Sequence, residues 1–192
     1  CDRLATRVNS LSLVRYRNND YSVPVAFGHQ EVWIRGYVHE VIIGCGSEEI
    51  ARHPRSYDRE DYIFNPIHYL PLLEKKIGAL DQAAPLEGWD LPNVFATLRR
   101  LLESRMGKPG KREYVQVLRL LETFELNDLH GAIKDALRLS AISCDAIKHL
   151  VLCRIERRPP RLNLDIYPYL PRAQVATTSA ASYMNLLADG AS

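Results

Sequence analysis

Residues 21–57 read YSVPVAFGHQEVWIRGYVHEVIIGCGSEEIARHPRSY, and this stretch decides the fold of the first part of the chain. It is rich in Val, Ile, Tyr and Trp, the residue types that favour strands. Val32 and Ile34 alternate with Trp33 and Arg35, a period of two that predicts a strand with one buried face. We therefore expect Val32 and Ile34 to point inward and Arg35 to point outward.

Turn residues divide this stretch into pieces of strand length. Gly36 predicts a bulge or a barrel corner, and the turn at residues 44–47 joins a strand over 38–43 to its partner over 49–53. With a preceding strand over residues 11–17, the pieces make about five short strands, the number expected of a small closed β-barrel. Side chains fill the interior of so small a barrel, so we predict a binding module without an enzyme pocket.

The composition is that of a globular protein of one or two domains: 192 residues, 46% hydrophobic and 25% charged. No apolar run approaches the ~20 residues of a membrane span, and no signal segment opens the chain. We therefore expect a cytoplasmic location and no membrane partner. Because the chain begins with Cys1 and not with Met, we also expect a piece of a longer protein.

Four cysteines occur without a C-x-x-C pair, which predicts reduced thiols in place of a disulfide framework. Cys144, His149 and Cys153 are the nearest approach to a metal-ligand cluster. Their spacing is not that of a zinc finger, so we predict core packing and no metal site.

The net charge of +2 is unevenly distributed. Residues 1–60 carry eight Lys/Arg and eight Asp/Glu, whereas residues 99–119 carry seven Lys/Arg and two acidic residues. Residues 148–161 carry five Lys/Arg and one acidic residue. Local basic patches of this kind can face phosphate groups, but solvated helix faces account for them equally well.

Hydrophobic periodicity changes from strand-like to helical after residue 59, which predicts an α+β fold. Asn65 is expected to cap, and Pro66 to open, a short helix that ends near residue 75. Apolar residues at helical spacing then predict four helices, with a sharp break at residues 107–110. The predicted divisions are a linker from a missing upstream domain (1–10), a small β-barrel (11–58), a connecting segment with a short helix (59–88), a helical bundle (89–158), and an extended tail with a short terminal helix (159–192).

Two groups of cations are candidates for contact with phosphate groups. One group lies where the last predicted strand ends, and the other surrounds the break between the first two helices of the bundle. A polar loop and a solvated helix face are the alternative interpretations. The candidate phosphate-binding residues are Arg52, Arg55, Arg99, Arg100, Lys108, Lys111 and Arg112.

Motifs for catalysis are absent from the sequence. It contains no G-x-S-x-G, no G-x-x-x-x-G-K-[ST] and no G-x-G-x-x-G, and its six histidines are scattered. We therefore predict that this chain alone is not an enzyme and holds no cofactor.

Several segments resemble the C-terminal half of IstA-type transposases, the insertion-sequence enzymes that act with the AAA+ ATPase IstB. The specific combination is ARHPRSY, HYLPLLEKK and ALDQAAPL within residues 51–86. The other similar segments are NDYSVPVAFGHQEVWIRGYV (19–38), REYVQVLRLLETF (112–124), DALRLSAISCDAIKHLVLCRIERRPPRL (135–162) and YPYLP (167–171).

The resemblance implies a fold for the first part like the small β-barrel that follows the catalytic domain of phage Mu transposase. It further implies that the catalytic domain, with its Asp, Asp, Glu and Mg²⁺, and the helix-turn-helix domains lie upstream of Cys1. Two hypotheses follow: a DNA-contacting region of a transposase, or a protein-interaction region for other transposase subunits or for an IstB-like ATPase.

Overall fold

Seven strands and five α-helices build residues 2–156, the part of the chain that a computed structural model describes. The strands are β1 (Asp2–Arg7), β2 (Leu13–Tyr16), β3 (Asn19–Ser22), β4 (Glu31–Gly36), β5 (Glu40–Cys45), β6 (Glu48–Pro54) and β7 (Tyr62–Ile63). The helices are α1 (Leu70–Lys75), α2 (Asn93–Met106), α3 (Lys108–Arg119), α4 (Leu126–Leu139) and α5 (Cys144–Glu156). A β-sheet region thus precedes a helical region, and the predicted α+β class is confirmed. The tail predicted over residues 159–192 lies outside the described residues.

The strands form two separate sheets. Four antiparallel strands pair in the order β1-β4-β5-β6, and three strands pair in the order β2-β3-β7, with β7 parallel to β3. Within residues 2–156 no ladder of hydrogen bonds joins the two sheets. The prediction of a closed β-barrel is therefore wrong.

The chain leaves the first sheet through a tight turn. Asn9 Oδ1 accepts hydrogen bonds from the N–H groups of Leu11 at 2.9 Å and Leu13 at 3.0 Å. Ser12 adopts the left-handed conformation with φ 60°. This turn carries the chain from β1 into the second sheet. At the far edge of this sheet, β6 ends at Pro54.

One hydrophobic core lies between the two sheets and takes the place of a barrel interior. The predicted alternation on β4 is confirmed, because Val32 and Ile34 are buried with 3% and 0% of their surfaces exposed. The buried apolar residues of this core are Val8, Val14, Tyr16, Tyr21, Val23, Val32, Ile34, Val41, Ile43 and Ala51.

Residues 2–7 are the edge strand β1 and not part of a linker. They pair with β4 from Asp2 opposite Gly36 to Arg7 opposite Glu31. Five of the six residues are exposed, so the strand shows no alternation of apolar and polar residues from which a sequence pattern could be recognised.

The connecting segment contains the predicted cap and short helix. Asn65 Oδ1 accepts a hydrogen bond from the Ile67 N–H at 3.1 Å, and Pro66 opens a 3₁₀ turn that leads into α1. The Tyr69 hydroxyl donates to the Leu11 carbonyl at 3.0 Å, which ties this segment back to the sheet region.

The predicted break at residues 107–110 is confined to Gly107. This residue has a left-handed φ of 63°, and α3 begins at the next residue with Pro109 in its first turn. Gly110 is buried against α2, where a Cβ atom would lie 2.1 Å from the Leu102 carbonyl oxygen. Only glycine therefore allows α2 and α3 to approach so closely.

The helices enclose a second core, separate from that of the sheets. Its fully buried members come from all five helices and include Leu70, Phe95, Leu98, Leu102, Val115, Val117, Leu129, Ile133, Ile147 and Val151. Apolar spacing of 3.6 residues predicted these helices because each of them buries one face in this core.

Candidate nucleic-acid interface

Arg52 lies on β6 and is engaged by two carboxylates. Its Nη1 donates to Glu40 Oε2 at 2.6 Å, and its Nε donates to Glu49 Oε1 at 3.0 Å. Hydrogen bonds donated to Glu49 and then to Glu40 raise the pKa of the guanidinium group above its ordinary value. A phosphate group must therefore compete with both glutamates for Arg52.

Arg55 follows β6 and holds the neighbouring hairpin. Its Nη1 donates to the Tyr37 carbonyl at 2.7 Å, and its guanidinium carbon lies 4.7 Å from the ring centroid of Tyr57 and 5.7 Å from that of Tyr16. Among residues 2–156 no carboxylate lies within salt-bridge distance of Arg55. Its charge is therefore available to an anion, although part of its donor capacity is used.

Arg99 and Lys111 meet at one acidic side chain. Asp81 accepts hydrogen bonds from Arg99 Nη2 and from Lys111 Nζ, and Glu103 accepts another from Arg99 Nε at 2.6 Å. Donation from Lys111 and then from Arg99 lowers the pKa of Asp81. These two predicted site residues therefore join α2, α3 and the segment before α2 through ion pairs.

Arg100, Lys108 and Arg112 are exposed, and within the described part of the chain none of them forms an ion pair. Lys108 and Arg112 lie one turn apart on α3, so their side chains share a face of the helix. Arg112 also lines an open groove with Lys75 and Arg119. Arg119 is occupied by Glu74 at 2.6 Å, whereas Lys75, Lys108 and Arg112 form no ion pair among the described residues.

The structure thus divides the seven predicted site residues into two classes. Three are held by carboxylates: Arg52, Arg99 and Lys111. Four have no carboxylate within 4 Å among the described residues: Arg55, Arg100, Lys108 and Arg112. The pair with Glu40 depends on strand pairing and the pairs with Asp81 depend on helix packing, which local charge counts cannot reveal, whereas Glu49 lies on the same strand as Arg52.

The outer face of the four-stranded sheet carries a row of arginines. Arg3 on β1 lies opposite Arg35 on β4, Arg35 lies opposite Ile42, and Ile42 lies opposite Arg52 on β6. Residues opposite each other in antiparallel strands project from the same face of the sheet. Within the described residues neither Arg3 nor Arg35 forms an ion pair.

Trp33 supports this row from the same face of β4. The Arg35 guanidinium carbon lies 4.4 Å from the Trp33 ring centroid, and the indole N–H donates to the Gly46 carbonyl at 2.8 Å. Gly44 makes room for the ring, because a Cβ atom there would lie 2.0 Å from a Trp33 ring atom. The indole therefore lies flat on the sheet and holds the Arg35 guanidinium group by a cation–π contact.

Positive charge exceeds negative charge at one end of the four-stranded sheet. Arg3 and Arg35 lie near the end that bears the β4–β5 turn and Arg55, which we call the basic end, and Asp2 and Glu40 lie at this end too. Glu31 and Glu48 lie at the opposite end, beside the β5–β6 turn, where Arg7 pairs opposite Glu31. The net neutrality of residues 1–60 thus conceals a local excess of positive charge at the basic end.

Residues 2–156 contain neither a cluster of metal ligands nor a helix that could span a membrane. No group of three or more His, Cys, Asp or Glu side chains in this part is placed to hold a metal ion. His149 Nε2 and Cys153 Sγ lie 3.5 Å apart on one face of α5, which is a pair and not a cluster. No helix there is long and apolar enough to cross a bilayer.

Comparison with known proteins assigns the sheet region. Residues 1–65, which include all seven strands, match the family described as the Mu transposase C-terminal domain. The chain belongs to this transposase family. The resemblance found in the sequence is confirmed, and the two sheets are the form that the domain takes in this chain.

Similarity to curated transposases extends beyond the sheet region. A transposase for insertion sequences IS1326/IS1353 from Pseudomonas aeruginosa is 31% identical over 160 residues, which cover 81% of this chain and 31% of that protein. A transposase from Aminobacter aminovorans is 33% identical over 137 residues, covering 69% of this chain and 26% of that protein. The chain therefore spans about a third or less of the length of these relatives. No solved structure matches the chain.

Sequence reasoning missed two of the residues that shape the basic end of this transposase domain. Arg3 was placed in a linker, although its pairing with Arg35 makes it part of the sheet. Arg35 was recognised as outward-facing but not as a site residue, because its neighbours Arg3 and Trp33 lie beside it only in the folded chain. The signal in the sequence was Trp33 and Arg35, an aromatic and a basic residue two positions apart on one face of the predicted strand, a combination that suits nucleic acid.

Proposed function

We propose that this chain is the non-catalytic C-terminal part of a DNA transposase, which contacts the DNA backbone and supports assembly of the transposition complex. The observation that carries the proposal is the gathering of Arg3, Arg35 and Arg55 at the basic end of the sheet. Within residues 2–156 none of the three has a carboxylate partner. Membership of the transposase family makes DNA the natural polyanion for this surface.

The contacts are expected to be with phosphate and not with base edges. Arg3 and Arg35 project from a sheet face, and Lys108 and Arg112 project from one side of a helix whose opposite side is buried. Neither arrangement places a helix to read the major groove. Cations of this kind position a protein on DNA without selecting its sequence. No cofactor is proposed for this chain, since Mg²⁺ would be held by the catalytic domain expected upstream.

A salt titration of the 192-residue chain on duplex DNA tests this proposal. Each phosphate contact contributes about 0.9 to the slope of log affinity against log salt. The double variant Arg3→Ala/Arg35→Ala should therefore reduce that slope by roughly 1.8. As a control, Arg15→Ala/Arg138→Ala removes two positive charges that are paired with Asp20 and Asp135, and it should leave the slope nearly unchanged. An equal effect of both variants would show a response to net charge and would reject the site.

A protein-interaction function remains the second candidate, and the helical region favours it. Arg99, Lys111 and Arg119 are held there in ion pairs, and the outer surfaces of α4 and α5 expose Leu139 and Ile155 to 60% and 41%. Exposed apolar side chains of this kind suit another transposase subunit or an IstB-like AAA+ ATPase. Light scattering of the purified chain, followed by pull-down with such an ATPase, would test this function. If DNA binding is absent and association is present, the second candidate replaces the first.

A further inference from the structure

The hairpin between β4 and β5 turns through three exposed residues that are poor turn formers. Tyr37, Val38 and His39 occupy the tip, and 64% of the Val38 surface is exposed. Tight hairpin turns usually contain Gly, Asn or Asp, yet this tip has none of them and none of its residues has a positive φ. Turn formation therefore does not explain why Tyr and Val occupy this exposed tip.

All three carbonyl groups of the tip accept hydrogen bonds from the segment after β6. Arg55 Nη1 donates to the Tyr37 carbonyl at 2.7 Å, and the Tyr57 hydroxyl donates to the Val38 carbonyl at 2.7 Å. The Arg55 N–H donates to the His39 carbonyl at 2.9 Å. Arg55 and Tyr57 therefore fix the backbone of the tip by hydrogen bonds. Its side chains are left to project outward.

A tip whose backbone is already fixed by hydrogen bonds loses little conformational freedom when a partner buries it. Ordering a free loop costs conformational entropy at every residue, and here the three hydrogen bonds have already fixed the backbone. Preorganisation of this kind favours insertion into a narrow site.

The charges around the tip favour a polyanion as its partner. Two acidic residues beside the tip are already paired, because Arg17 binds Asp2 at 2.9 Å and Arg52 binds Glu40 at 2.6 Å. Asp58, which follows Tyr57, forms no ion pair among the described residues. Arg35, two residues before the tip, forms no ion pair within the described part of the chain. The tip thus exposes apolar side chains beside a basic surface.

We propose that the tip Tyr37-Val38-His39 is a wedge that inserts beside an unstacked base in distorted or partly unpaired DNA. This inference rests on the DNA contact proposed above. Apolar side chains inserted at a base step are a known way to stabilise kinked DNA, and aromatic side chains stack on exposed bases. The neighbouring arginines would hold the phosphates on either side while the tip fills the opening between bases.

The experiment compares two short duplexes, one fully paired and one with a single unpaired 2-aminopurine, whose fluorescence reports loss of base stacking. The test variant is Tyr37→Ser/Val38→Ser, which removes the apolar tip and keeps its hydrogen-bonded carbonyl groups. The control variant is Leu11→Ser/Tyr62→Ser, since 66% of Leu11 and 57% of Tyr62 are exposed. Circular dichroism of each variant verifies that it is folded.

The wild-type 192-residue chain should bind the unpaired duplex about tenfold more tightly than the paired one and should change the 2-aminopurine signal. The control should behave as wild type. The tip variant should lose the preference and the signal change but retain the salt slope on paired DNA. Equal affinity of the wild type for both duplexes, or a preference that survives in the tip variant, would overturn the wedge alone. Absence of binding to either duplex would overturn the proposed DNA contact, and the wedge with it.

Discussion

The imidazole of His53 lies edge-on to that of His68, with ring centroids 5.6 Å apart. Ser22 holds both rings, because its carbonyl accepts from His53 Nε2 at 2.6 Å and its hydroxyl lies 2.9 Å from His68 Nδ1. The Asn65 N–H donates to the same hydroxyl oxygen at 2.8 Å, which leaves the hydroxyl proton for His68. This buried cluster joins β3, β6 and the segment that leads into α1.

Stability should fall between neutral and mildly acidic pH because both histidines are held neutral in the fold. Burial lowers the pKa of His53, and burial followed by the proximity of His53 lowers the pKa of His68 to about 4. The unfolded chain takes up these protons near pH 6.5, but the folded chain does not. Stability is therefore complete above pH 6.5 and is lost as pH falls toward 4. From pH 7 to pH 5, His68 alone should reduce the free energy of unfolding by about 2 kcal/mol.

Urea denaturation at the two pH values measures this loss directly. His68→Asn, which keeps a polar side chain at the site but does not titrate, should be less stable at pH 7 and should show a smaller difference between the two pH values. The carboxylates with lowered pKa, among them Asp2, Glu74 and Asp81, remain ionised at pH 5 and do not confuse the comparison. Identical pH dependence of wild type and variant would assign the effect to other groups.

Local patterns predicted the helices and the inner strands, but they could not predict how the strands join. The helices α2, α3 and α4 each repeat apolar residues along one face, and β4 alternates residue by residue. In contrast, β3 (Asn19–Ser22) is buried although it begins with two polar residues. Asn19 is accommodated because it donates to the Ser56 carbonyl at 3.1 Å and accepts from the Asp61 N–H at 3.0 Å. Such partners, about 40 residues away, are set by tertiary structure and not by any local period.

The sequence predicted which segments of the candidate site carry positive charge, but not which of these charges are free of ion pairs. Lys111 and Asp81 are 30 residues apart in the chain, and only the packing of α3 on the segment before α2 brings them together. Arg3 and Arg35 likewise become neighbours only through strand pairing. A count of charges therefore located the basic helices but overlooked the basic end of the sheet.

The inward and outward positions on β4 should differ sharply in their tolerance of truncation. Ile34 is fully buried between the sheets, so Ile34→Ala should lower the free energy of unfolding by about 2–5 kcal/mol. Arg35 contributes only its cation–π contact with Trp33, so Arg35→Ala should lower it by about 0.5 kcal/mol. Chemical denaturation of both variants gives the comparison. Similar losses would mean that the outer face of β4 is also packed against other residues and is not exposed to solvent.

The isolated chain should neither nick nor join DNA. The proposal made above assigns strand transfer to residues outside this chain, because acidic side chains that hold divalent metal ions stabilise such displacements. A strand-transfer assay with the purified chain, DNA, and either Mg²⁺ or Mn²⁺ should therefore give no product. A metal-dependent product that persists after repeated purification would contradict the proposal that this chain is non-catalytic.

The last prediction concerns the helical surface, where the structure separates free from paired cations. Lys108 and Arg112 are exposed on one face of α3, whereas Lys111 is held by Asp81. Lys108→Ala/Arg112→Ala should therefore reduce the salt slope of DNA binding by roughly 1.8. Lys111→Ala should leave the slope unchanged and slightly lower stability, because it removes a partner of Asp81.

The triple variant of Lys108, Lys111 and Arg112 to alanine completes the test of this surface. Its slope should match that of the double variant if Lys111 does not contact phosphate. A further reduction of about 0.9 would mean that Lys111 leaves Asp81 when DNA binds. An unchanged slope in both variants would show that this face of α3 does not meet DNA. The helical region would then be the protein-binding part of the transposase, and DNA contact would rest on the basic end of the sheet.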